Sequence, residues 1–153
     1  LMVATGLIGV GWLHRLATDE KLGLPIINHP AYSGGFVSPG VSGVADYLQL
    51  GLFPRLFGAD MAIFVSYGGR FTFTQEQCQR ICSYIKQPIG LMKAACSAPG
   101  GGVTDARLPE LVSLYGNDTM FLVGGDMFRR GSDLEANMAY FVSRLEELCE
   151  LKK

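Results

Sequence analysis

Apolar residues in this chain fall into two alternating patterns. Short continuous runs at 1–5, 25–29, 61–66, 89–96 and 119–125 are each bounded by turn residues, as expected of strands buried on both faces of a sheet. Between them the apolar positions recur at the helical period. Residues 10–21 carry Trp12, Leu13 and Leu16 at core spacing, with Gly23 as the stop. Residues 44–57 predict a second helix, bent or broken at Pro54. Thr74 followed by Gln77 is a capping-box pattern for a helix reaching Lys86. A further helix over 105–115 closes at Gly116. The last, over 132–151, presents Leu134, Met138, Phe141, Leu145 and Leu148 as one stripe. Residues 32–43, rich in Gly, Ser and Pro, read as a loop.

Strand runs alternating with helical stretches predict βα units and a parallel sheet, an α/β fold. The run at 89–96 is interrupted by Lys93 and is the weakest of the five. Five strands cannot close an eight-fold barrel, which needs about 250 residues. The chain is therefore an open five-stranded sheet or part of a larger barrel. It opens inside a strand without Met, which favours a piece of a longer protein.

Parallel sheets of this kind place ligand-binding groups just past the strand C-termini. Those positions hold His29-Pro30-Ala31, Ser66-Tyr67-Gly68-Gly69-Arg70, Pro99-Gly100-Gly101-Gly102 and Gly124-Gly125-Asp126. Two glycine turns, each after an apolar run and before a helix, can aim backbone N–H groups at an anion. His29 would hydrogen-bond a substrate hydroxyl or relay a proton, and Arg70 suits phosphate or carboxylate. Arg129 and Arg130 would add positive charge near the same site or lie on the surface. Asp126 would bind a substrate hydroxyl or cap the final helix. Gly6, Gly9 and Gly11 reverse the spacing of a dinucleotide loop, and no acidic residue closes the following strand, so NAD is not expected.

Composition narrows the partners. With 48% hydrophobic and 18% charged residues the chain is globular, and a net charge of −1 predicts neither nucleic acid nor an anionic membrane as partner. No apolar run approaches the roughly 20 residues of a membrane span. The four cysteines form no CxxC pair. Cys78 and Cys82 read as reduced thiols on the inner face of a helix, which suits a cytoplasmic protein.

Taken in order, several segments resemble the large-chain family of ribulose-bisphosphate carboxylase, and within it the RuBisCO-like (form IV) members. They are residues 25–36, Gly58-Ala59-Asp60 with its strand, residues 66–71, residues 99–104 with Leu108-Pro109-Glu110-Leu111, Tyr115-Gly116-Asn117-Asp118, and Gly124-Gly125. The resemblance covers essentially all of the chain. It implies a (β/α)8 TIM barrel, with residues 1–153 as the C-terminal part of the barrel domain, about strands four to eight. The N-terminal domain and first strands would lie upstream.

By the same resemblance, His29 matches the family's His at the end of strand five. Gly101 and Gly102 match the phosphate-binding glycines after strand seven, and Gly124 and Gly125 those after strand eight. Arg70 stands where carboxylases carry a mobile Lys. Pro30 replaces an Arg, Gly100 replaces a Ser, and Ile63 lies near the place of a strand-six His. These departures argue against CO2 fixation on a bisphosphate. They fit a relative that handles a monophosphate, and the resemblance to form IV members implies an isomerase or enolase of the methylthioribulose-phosphate type, acting on a phosphorylated keto-sugar through an enediolate. The alternatives are a decarboxylase of a phosphorylated β-keto sugar acid (apionate-type catabolism) and a non-catalytic protein that binds a phosphorylated ligand. Catalytic roles fall to His29 and Arg70, and phosphate binding to Gly101, Gly102, Gly124 and Gly125. Any Mg2+ would take its ligands upstream of this chain. A homodimer is implied, and the isolated segment is expected to be inactive.

Overall fold

In the computed structural model, which describes residues 1–37 and 43–150, four strands lie side by side in chain order. They are β1 (Met2–Val3), β2 (Ile27–Asn28), β3 (Met61–Val65) and β4 (Cys96–Gly100), and every pair is parallel. A fifth segment joins β4 by two parallel bridges, Ser97 to Thr119 and Gly100 to Leu122. Unbroken chain order in a parallel sheet is barrel order: a doubly wound sheet reverses direction part-way. The chain is thus an α/β partial barrel.

The strand predicted at 89–96 is shifted. Residues 89–92 make a turn, and the strand is Cys96–Gly100, so Pro99 and Gly100 belong to the sheet. A proline in a strand reads as a breaker because it has no N–H to give. Here Pro99 still accepts from Leu122 N–H at 3.1 Å. By the alternation of a parallel ladder its missing N–H faces the same segment, which explains why residues 119–122 are held by bridges and not by a full ladder.

Helices cover the outer face. After β1 come α1 (Thr5–Ile8) and α2 (Val10–Ala17). The first strand is shorter than residues 1–5 because Thr5 is drawn into α1, where its hydroxyl donates to buried Asn28 Oδ1 at 2.9 Å. Leu13 is buried with Ile26 and Ala59, but Trp12 is 57% exposed and does not join the core as its spacing predicted. It lies instead under the Arg15 guanidinium. A four-residue helix, α3 (Gly34–Val37), interrupts the predicted loop, whose residues 38–42 lie outside the described ones.

The predicted helix at 44–57 is a π-helical stretch, Tyr47–Leu52, running into α4 (Phe53–Leu56). Pro54 lacks the N–H for a regular turn, and Phe53 N–H reaches back to Leu48 O, one residue further than in an α-helix. Gly51 lets this helix press on α5 (Gln75–Lys86): a Cβ there would lie 2.9 Å from Ile81 O. The Thr74–Gln77 capping box forms as predicted. A 3-10 turn (Asp105–Arg107) leads into α6 (Leu108–Tyr115), and a short helix not foreseen, α7 (Gly125–Arg129), precedes α8 (Leu134–Glu150). Of the α8 stripe, Phe141 is fully buried, whereas Leu134 and Met138 are exposed; the predicted end at 151 lies outside the described residues. The core between sheet and helices holds Phe64, Ile81, Ile85, Leu108, Leu111 and Tyr115. Cys78 and Cys82 are buried in it, free of disulfides.

Beneath this core sits a buried cation with no carboxylate partner among the described residues. Arg55 is 4% exposed and donates to Lys93 O, Met92 O, Gln87 O and Tyr84 O at 2.6, 2.8, 2.6 and 3.3 Å. Burial pulls its pKa down from the ordinary value. The four carbonyls offset that cost, and the clamp ties the end of α5 to the turn that feeds β4. Arg55→Met leaves those carbonyls without a donor. It is expected to lower stability by about 3 kcal/mol in chemical denaturation, with Arg55→Lys recovering only part.

Candidate active site

The C-terminal ends of the strands open onto one cleft of about 1070 Å³, lined by His29, Arg70, Gly101, Gly102, Gly124 and Gly125 among others. Every residue that the sequence marked for catalysis or phosphate binding is therefore brought to the same place. The sheet does this directly. β3 and β4 pair up to Val65 and Gly100, and Ser66 N–H donates to Gly100 O at 2.8 Å, so the loops after both strands leave the sheet at one level.

His29 follows β2 directly and is exposed to the cleft. Its Nδ1 accepts from Ala31 N–H at 3.1 Å. That bond assigns the neutral ring its proton on Nε2, which makes His29 a hydrogen-bond donor toward the cleft. Tyr32 takes a left-handed conformation, φ 64°, at the cleft rim. Few non-glycine residues adopt it, and such strain gathers at ligand sites. Gly6 makes room for this turn, since a Cβ on it would lie 2.3 Å from Ala31 O. Gly6 therefore serves packing within α1, and the loop it resembled in sequence is helical.

Arg70 is exposed, rests on the Phe71 ring at 4.9 Å and makes no ion pair among the described residues. Its charge is available to an anion. Gly101 and Gly102 are both left-handed, with φ 81° and 70°, a conformation costly for other residues. Nothing lies within 4 Å of a Cβ placed on Gly101 or Gly124, so the cradle is open above them. The N–H groups of Gly102, Gly124 and Gly125 have no partner among the described residues. Unpaired donors of this kind, lining one cleft at the strand ends, can hold a phosphate.

Asp126 neither caps α8 nor stands free for a substrate hydroxyl. Its Oδ2 accepts from Asp105 N–H at 2.9 Å and its Oδ1 from Arg129 at 3.0 Å. The Asp105 bond, and then Arg129, hold its carboxyl below the usual range. This contact ties the two glycine turns together. Arg130 lies over the Tyr140 ring at 3.5 Å, pairs with Asp105 and does not line the cleft, whereas Arg129 lines it beside Gly125 while its Nη2 is held by Asp126. Sequence reasoning missed Tyr32, whose backbone strain has no sequence signal, and Arg107, which sits behind two of the loops.

The described residues do not fit a metal centre. They contain no group of three or more His, Cys, Asp or Glu placed to hold an ion, and Asp126, the one carboxylate lining the cleft, is already committed. No described helix is long and apolar enough to cross a membrane.

No protein-family model matches the chain. It is 32% identical over 145 residues to the ribulose bisphosphate carboxylase-like protein 1 of Rhodopseudomonas palustris, covering 95% of this chain and 38% of that protein. It is 31% identical over 142 residues to the 5-methylthioribulose-1-phosphate isomerase of Rhodospirillum rubrum, with coverages of 93% and 36%. The crystal structure of a rubisco-like protein (MtnW) from Alicyclobacillus acidocaldarius matches with a TM-score of 0.84 and 30% identity, over 92% of this chain and 36% of that one. The chain spans little more than a third of the length of these relatives.

The Asp126 link carries a pH signature. A carboxyl with a depressed folded-state pKa stabilises fully above its unfolded value, about 3.9, and loses that contribution as pH falls through the folded pKa. Denaturation of the wild type and Asp126→Asn should therefore show a larger stability gap at pH 6 than at pH 3. An equal gap at both would show that the charge of Asp126 adds nothing.

Proposed function

Because the chain belongs to the RuBisCO-like members of the ribulose-bisphosphate carboxylase large-chain family, we propose that the intact protein acts on a phosphorylated keto-sugar through an enediolate. It works as an isomerase or enolase and not as a CO2-fixing carboxylase. The observation that carries this reading is the convergence of His29, Arg70 and both glycine turns on one cleft at the strand ends.

The roles follow from the donors. Unpaired N–H groups of Gly102, Gly124 and Gly125, with Gly101 shaping the turn, hold the phosphate. Arg70 offsets its charge. When a proton leaves the carbon next to a carbonyl, negative charge moves onto the carbonyl oxygen, and a preplaced donor there lowers the barrier. His29 Nε2–H is such a donor. With Nδ1 occupied by Ala31 N–H, the neutral ring does not act as the base that starts the reaction. The principal base, and the ligands of any Mg2+, lie outside this segment. This segment supplies the C-terminal part of a barrel, and a homodimer completes the site.

Arg70 in place of the carboxylase Lys, Pro30 in place of Arg and Gly100 in place of Ser support the non-carboxylating reading. A monophosphate needs one anion cradle, and this cleft offers one built from two adjoining turns. The two turns are tied by the Asp126–Asp105 bond.

The test is solvent exchange. Incubated in D2O with 5-methylthioribulose 1-phosphate, the intact protein is expected to place deuterium on the carbon beside the carbonyl. Gly124→Asp should abolish tight binding, raising KM at least about tenfold (about 1.4 kcal/mol) without loss of folding, since a Cβ meets nothing within 4 Å there. Absence of deuterium incorporation with Mg2+ supplied would overturn the enediolate reading.

A further inference from the structure

Arg70 is useful only if its loop is held facing the glycine turns, and the structure shows what holds it. Gly69 packs backbone to backbone on the next loop: a Cβ on it would lie 3.1 Å from both Gly101 C and Gly102 N, and one on Gly102 would lie 2.9 Å from Gly69 Cα. Arg107 closes this contact from behind. Its Nη1 donates to Tyr67 O at 2.9 Å and to Gly102 O at 3.0 Å, one carbonyl from each loop. Its guanidinium lies 4.6 Å from the centre of the Tyr67 ring, and its Nε donates to Glu110 Oε2 at 3.3 Å. The Tyr67 hydroxyl donates to the same Glu110 carboxylate.

Arg107 is 21% exposed and does not line the cleft, whereas Gly69, Arg70, Gly101 and Gly102 do. Its donors are turned onto loop carbonyls, away from any ligand. We propose that Arg107 is a positioning residue that fixes the Tyr67–Arg70 loop on the Gly101–Gly102 turn, so that Arg70 faces the anion cradle. The inference rests on the phosphate-binding reading of the cleft. It assigns a task to a residue that itself touches no ligand. The lever is short, since only two residues separate Tyr67 from Arg70, and both are glycines. Without the clamp, Gly68 and Gly69 leave the Arg70 direction undefined.

A double-variant cycle tests this, because a residue that acts only through Arg70 cannot add to the loss of Arg70. Inorganic phosphate is titrated into the intact protein by calorimetry, with folding checked by circular dichroism. Arg70→Ala and Arg107→Gln are each expected to weaken phosphate binding about tenfold. The double variant should be weaker by about tenfold and not a hundredfold. Arg107→Lys, whose ammonium reaches the carbonyls without stacking on Tyr67, should fall between wild type and Arg107→Gln. Should the glutamine variant unfold, the same cycle with Arg107→Lys decides.

A hundredfold loss in the double variant would show that Arg107 acts independently, and would overturn the proposal while leaving the phosphate site standing. Wild-type affinity in Arg107→Gln beside a weakened Arg70→Ala would do the same. No effect of Arg70→Ala on phosphate would instead sink the phosphate reading, and this inference with it.

Discussion

The five-residue parallel ladder between β3 and β4 is the constraint on which the rest depends. It is the longest pairing in the sheet, and the three central residues of each strand are buried. Its outer side carries Phe64, which meets Tyr115 of α6 edge to face at 5.6 Å and 81°. Its register ends at Val65 and Gly100. A slip by one residue would turn every side chain to the other face, expelling Phe64 from the core. It would also separate Gly69 from Gly102 and dissolve the contact between the two loops. Core packing and site geometry are therefore set by the same hydrogen bonds.

From that ladder the site is assembled by small residues and short links. Glycine at 69 and 102 permits the loops to touch. Arg107 bonds across them. Asp126 bonds the start of the 3-10 turn to the start of α7. Each link joins neighbouring strands' loops, so the cleft is built sequentially across the sheet, as expected where strand order follows chain order. The buried Arg55 plays the matching part at the opposite end of the ladder, where it joins two carbonyls at the end of α5 to two of the turn entering β4.

Much of this was legible in the sequence. The run at 61–66 and the capping box at Thr74 and Gln77 form where periodicity and local hydrogen-bonding chemistry put them. The glycine turns, His29 and Arg70 reach one cleft because strand C-termini in a parallel sheet share an end. What failed had identifiable causes. Pro99 and Gly100 read as loop residues, but a parallel neighbour needs only the Pro99 carbonyl, so the strand extends through them and the apolar run before Lys93 becomes a turn. Trp12 and Met138 lie on helical stripes, yet a stripe says which residues share a face and not what stands opposite; neither is buried. Arg107 stands in no motif of the sequence, because its task depends on the Tyr67 carbonyl, brought in from a loop forty residues earlier.

The central claim is that the two glycine turns form a single anion cradle. Its most direct measurement is the amide shift of Gly101, Gly102, Gly124 and Gly125 by nuclear magnetic resonance as inorganic phosphate is titrated into the 15N-labelled intact protein. The account predicts that amides of both turns move together and saturate with one Kd. Shifts confined to one turn, or movement of neither at saturating phosphate, would contradict it.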